Sequence, residues 1–182
     1  MVNFELDFRD SKMVKVDCKE IQFYDEVTLI DAICSVLHDN LVRFIVSDDL
    51  CEDYNMDCRF DLTCLLDLYD ETISALVEKR RFDIEFYEQG REYIFLFDIE
   101  EDNVTVDIYP KYDMNRKKRY EMDYIYIREM FLLFYESLFQ YIEKCIKNID
   151  RNVVFCEWKG KLNKLKYDSN LTVKSFTSLR SQ

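Results

Sequence analysis

Two glycines and one proline are all that 182 residues contain. These residues supply many of the sharp turns and loose connections of ordinary chains. Little of this chain is therefore available as flexible linker, and disorder is expected only near its C-terminal end. The same scarcity nearly excludes a glycine-rich loop that cradles phosphate. Hydrophobic residues make up 48% and aromatics 15%, enough for a substantial core. A chain of this length fits one domain, which buries roughly 70% of the surface its unfolded form exposes.

Hydrophobic periodicity assigns the elements. Phe4, Leu6 and Phe8 alternate with Glu5 and Asp7, and Val14 and Val16 with Lys15 and Asp17, as in half-buried strands. Residues 21–24 predict a third strand. Thr28 followed by Asp31 reads as a capping box that opens a helix. Its stripe is Ile30, Ile33, Leu37, Leu41 and Phe44, and it is expected to end near Ser47. A second helix is predicted from Asp61 through Lys79-Arg80-Arg81. Alternating or continuous apolar runs then give strands at 82–86, 93–99, 104–108 and about 119–125. The last strong pattern is a helix over 126–149, whose Leu132, Leu133, Tyr135 and Phe139 widen the apolar face beyond what one sheet needs. Either that helix is deeply buried, the preferred reading, or it offers a partner surface. The expected fold is α+β, an antiparallel sheet packed by helices in the order βββ-αα-ββββ-α. It forms a single domain over 1–158, and 159–182 forms a basic polar tail that is either frayed or folded back on acidic surface.

Charge is unevenly spread. Net charge is −12; residues 1–110 hold 10 basic against 28 acidic side chains, a balance of −18, and residues 111–182 hold 15 against 9, or +6. Phosphates are repelled by the first part, so direct nucleic-acid binding is not expected. A basic protein partner fits better, and solubility alone also accounts for the acidity. The N-terminal segment carries Glu5, Asp7 and Arg9 where a signal peptide needs an apolar stretch. The longest apolar run, 130–135, is far short of the ~20 residues of a membrane span. Seven cysteines (18, 34, 51, 58, 64, 145 and 156) make an odd count, and Cys34, Cys64 and Cys145 fall in helical apolar patterns. These features predict a cytoplasmic protein with reduced thiols and no membrane association.

Candidate chemistry is sparse. Cys34 and the only histidine, His38, share a helix face, the spacing of a nucleophile and its base or of two metal ligands. A core-facing cysteine beside a partly exposed histidine is the preferred reading. The run Asp53-Tyr54-Asn55-Met56-Asp57 matches the opening of a calcium loop, but Cys58 replaces the turn glycine and Cys64 the bidentate glutamate. No catalytic residue, cofactor or metal is expected. The loop bearing Asp48, Asp49, Glu52, Asp53, Tyr54 and Asp57 concentrates negative charge around one aromatic side chain. Carboxylates so placed can mimic the phosphates that a nuclease expects, which makes these six residues the candidate partner-binding set.

The charged meander from Arg81 to Tyr112, ending in Tyr109-Pro110-Lys111-Tyr112, and the aromatic helix after it resemble, in type, bacterial immunity proteins encoded beside polymorphic or contact-dependent toxins. That resemblance implies a non-catalytic, stoichiometric inhibitor that binds its cognate toxin, a nuclease for example, in the cytoplasm. The alternatives are a regulatory or assembly subunit that docks or self-associates through 126–149, and an enzyme working through Cys34 and His38.

Overall fold

The computed structural model describes residues 1–17, 25–48, 54, 56–87 and 92–179, the stretch 168–179 by its backbone alone. The expected strand at 21–24 lies outside the described residues. The rest is α+β, as the periodicities indicate. The elements are β1 (Asn3–Asp7), β2 (Val16–Asp17), α1 (Glu26–Asp39), β3 (Arg43–Ser47), α2 (Asp61–Asp67), α3 (Tyr69–Glu78), β4 (Phe82–Phe86), β5 (Tyr93–Glu100), β6 (Asn103–Pro110), β7 (Lys118–Asp123), α4 (Tyr124–Cys145), β8 (Ile146–Lys147) and α5 (Val153–Leu179). Strands β4 to β7 form an antiparallel meander in sequence order, β1 pairs antiparallel with β3, and β2 pairs parallel with β8.

Local chemistry explains where the elements depart from the sequence reading. Helix α1 starts one turn earlier than the Thr28–Asp31 pair implies. Asp25 is the N-cap, its Oδ1 accepting from the Thr28 backbone N–H at 2.9 Å, while the Thr28 hydroxyl accepts from the Asp25 N–H. The helix stops at Asp39 rather than Ser47. Leu41 takes a left-handed φ of 59°, which turns the chain into β3, and Phe44 and Val46 are buried as strand residues. The helix expected from Asp61 to Arg81 is broken at Leu68 into α2 and α3. Left-handed positions at Leu41, Lys79, Glu101 and Asn148 make turns that glycine makes elsewhere, each at a cost of about 1–2 kcal/mol.

The core begins at Phe4 of β1. Its ring lies 5.4 Å from Phe131 of α4, 5.7 Å from Phe95, 6.3 Å from Phe44, and 6.4 Å from both Phe86 and Phe97. The inner face of the meander, α4 and the β1–β3 pair therefore meet at one ring cluster. On its other side α4 packs against α3 and α5, with Tyr135 edge-on to Tyr69 at 4.8 Å and Phe139 5.2 Å from Phe155.

Residues 159 onward, assigned above to a separate tail, form most of α5. Phe155, Trp158, Leu162 and Leu165 recur at helical spacing and are buried. The basic face pairs with acidic neighbours: Lys159 with Glu143, Lys161 with Asp70, and Lys166 with Glu136 at 2.6 Å. Buried Arg128 of α4 donates to the Leu165 carbonyl, a second pin between the helices. Leu165→Ala is expected to lower unfolding free energy by about 3 kcal/mol, against about 0.5 kcal/mol or less for the exposed Lys164→Ala, read by urea denaturation. A dispensable tail would make the two variants equal.

Candidate functional site

The loop after β3 carries the six residues singled out by charge. Asp49, Glu52 and Asp53 lie outside the described residues. Asp48 and Tyr54 face inward, at 5% and 6% exposure, which corrects the expectation that they form a solvent-facing contact patch. Asp48 Oδ2 accepts from the Tyr54 hydroxyl (2.8 Å), the Tyr120 hydroxyl (2.8 Å) and Lys118 Nζ (3.0 Å). The Tyr54 ring meets Tyr93 and Phe95 edge-on, and its N–H donates to the Val46 carbonyl. Burial requires that a carboxylate be paired and fully hydrogen-bonded, and this one ties the end of β3 to β7. Asp57 is half-buried and turns the chain into α2, its Oδ1 accepting from the Arg59 and Phe60 N–H groups at 2.6 and 3.1 Å. Asp61 Oδ2 in turn accepts from the Asp57 N–H.

The second candidate, Cys34 with His38, is divided between core and solvent. Cys34 is buried, the Thr63 hydroxyl 3.4 Å from its sulfur, and burial pushes its thiol up to about 12. His38 stands exposed on the rim of α1. Cys58 is likewise raised to about 12 by burial. Among the described residues, no cluster of three histidine, cysteine or acidic side chains is arranged to hold a metal ion, and no helix is long and apolar enough to cross a membrane. The aromatic residues of α4 on which a docking helix depends, Tyr135 and Phe139, are internal.

A different surface gathers open carboxylates. A groove of about 550 Å³ runs between α2–α3 and β4. One wall is Cys64, Asp67, Leu68 and Glu71; the other is Arg81, Asp83, Glu85 and Tyr87, with Phe82 beneath. A second hollow of about 330 Å³, sharing Cys64 and Tyr87, continues it past Asp31, Arg59 and Phe60. Glu71 is held by Arg80 and Glu85 by Lys111 at 3.2 Å. Asp31, Asp67 and Asp83 have no ion-pair partner among the described residues. Partial burial in the groove, and then repulsion from Asp31, raise the Asp67 pKa. The groove opens onto the outer face of the meander, where Ile94, Leu96 and Tyr109 are only half-buried. The signal for this site was present in sequence as the alternation Asp83, Glu85 along β4, but its second wall comes from a helix about 15 residues earlier.

In comparisons with known proteins, no family model, curated protein or solved structure matches the chain.

Two variants separate structural from open carboxylates. Asp48→Asn strips three donors of their anion and is expected to cost about 3 kcal/mol of stability, measured by denaturant unfolding. Asp67→Asn has the opposite sign. A carboxyl whose folded pKa is raised favours the folded state while protonated and loses that contribution as pH rises through the folded value. Asn at 67 should therefore stabilise the protein at pH 7, with the gain vanishing below the carboxylate range; unchanged or lower stability at pH 7 contradicts this reading of the groove.

Proposed function

We propose that this chain is a non-catalytic, cytoplasmic binding protein that neutralises a basic protein partner, in the manner of an immunity protein covering a toxin nuclease. The observation that carries the reading is how the charges partition. Seven of the fifteen basic side chains of the second part of the chain are paired with its own acids among the described residues: Lys111 with Glu85, Lys117 and Arg119 with Asp107, Lys118 with Asp48, and Lys159, Lys161 and Lys166 with α3 and α4. The surplus left on the surface is negative, and the groove beside β4 holds carboxylates with no internal counter-ion. An acidic concavity of this kind raises the encounter rate of a cationic partner and repels nucleic acid. The buried, high-pKa thiols of Cys34 and Cys58 are poor nucleophiles at neutral pH, which favours binding over thiol chemistry.

The experiment is recovery of the tagged protein from its host's lysate at low and at high salt. One basic protein at equal stoichiometry, held more weakly as salt rises, is the expected result. Recovery of the chain alone, or only as its own oligomer, overturns the proposal and leaves the acidity as a solubility feature.

A further inference from the structure

We propose that the protein partner lays an amphipathic helix, apolar along its centre and bordered by lysine or arginine, across the outer face of the β4–β7 meander; this rests on the reading of the chain as an inhibitor of a basic partner. The sheet has two unlike faces. Phe82, Ile84, Phe95, Phe97, Val106 and Ile108 point into the core and are buried, so the alternate positions face outward. Register fixes which of these stand side by side. Glu85, Ile94 and Tyr109 form one cross-strand row, Asp83, Leu96, Asp107 and Arg119 the next, and Asp98, Thr105 and Glu121 a third. Helices α2 and α3 pack against the β4 edge, so a partner meets this sheet on its broad side and not by pairing with that strand.

The content of the rows selects the occupant. Ile94, Leu96 and Tyr109 are adjacent and only half-buried, an apolar centre on the face that an antiparallel sheet can leave to water. Asp83, Asp98 and Glu121 border it and have no ion-pair partner among the described residues. The cations of this face are already held, Arg119 by Asp107 at 2.7 Å and Lys111 by Glu85 at 3.2 Å. Asp83 is the direct cross-strand neighbour of Leu96 and Asp98 the next residue on its side of β5, so both carboxylates lie within about 5–7 Å of it. Lysines three or four positions from an apolar residue on a helix flank it at about 5–6 Å, which matches that spacing. Four strands about 4.8 Å apart give the face a width of roughly 20 Å, the length of about 14 helical residues. A second copy of this chain is a poor occupant, because it brings together two molecules each of net charge −12. A polynucleotide is repelled by the same carboxylates.

The test uses the full-length protein and a synthetic peptide of two Leu-Lys-Lys-Leu-Leu-Lys-Lys repeats. The same peptide with one central leucine replaced by proline is the control that cannot form the helix. Binding is expected to slow carbodiimide labelling of Asp83, Asp98 and Glu121 but not of the exposed Asp39, and proline is expected to weaken it at least about tenfold. Asp83→Asn with Asp98→Asn, and separately Leu96→Ala, should each weaken it about tenfold, while Asp39→Asn and Val27→Ala, on the exposed side of α1, should not. Equal affinity of the proline peptide, protection located elsewhere, unaffected face variants or no binding overturns the proposal. A dimer of the chain alone that Leu96→Ala dissociates, read by sedimentation, overturns it in favour of a second copy. Recovery of one basic protein from host lysate by the wild type and the face variants alike retains the inhibitor reading and rejects this face. Peptide binding at this face with no basic protein recovered rejects the inhibitor reading and retains the face.

Discussion

Phe131 and Tyr135 sit one turn apart on α4, with ring centroids 6.3 Å apart, and face different layers. Phe131 reaches Phe4, Phe82 and Phe97; Tyr135 reaches Tyr69, and one turn later Phe139 reaches Phe155 and Trp158. A helix apolar over so wide an arc must be covered twice. The meander covers one side and α3 with α5 the other, and each aromatic contact adds about 0.5–1.5 kcal/mol beyond its buried area. Helices α3 and α5 are thereby engaged around α4, while α2 packs directly against β4 at the rim of the sheet.

The meander was legible strand by strand: β4 and β6 alternate, while the continuous apolar run of β5 suggests cover on both faces, yet Ile94 and Leu96 are only half-buried, and β7 spans Lys118–Asp123, slightly earlier than its pattern suggests. The width of α4's apolar face also gave the burial of Leu132, Tyr135 and Phe139, although Leu133, part of the same pattern, is exposed. Three places depart from the pattern. Leu37, Leu41 and Phe44 continue a helical spacing, yet Leu41 adopts a left-handed conformation and Phe44 belongs to β3; a period that fits both elements does not choose between them, and the pairing of Phe4 with Val46 is a tertiary fact. The stripe Phe155, Trp158, Leu162 and Leu165 was readable but lay under a run of lysines, whose counter-charges sit on α3 and α4, remote in sequence. The candidate site failed for a related reason: charge density located the loop after β3, but burial of Asp48 depends on Lys118 and Tyr120, about 70 residues away.

Buried and exposed carboxylates thus play opposite parts in one acidic molecule. Asp48 and Asp107 hold strands together through cationic neighbours, and Arg119 with Lys117 keep the Asp107 carboxyl below the usual range. Asp67, whose pKa is raised by partial burial and then by Asp31, has no cationic partner among the described residues.

The hub position of Phe4 has a kinetic corollary. A residue in the first strand finds its nearest ring, Phe131, more than 120 positions downstream, and β1 has no ladder partner until β3 has been made. The β4–β7 meander can pair locally and β1 can pair with β3, while the ring cluster around Phe4 waits for α4, and α4 in turn stays half-covered until α5 follows. High sequence separation of contacts slows folding and lengthens the exposure of apolar surface. The contacts that close the core are therefore remote in sequence, and the net negative charge keeps incompletely closed chains apart from one another.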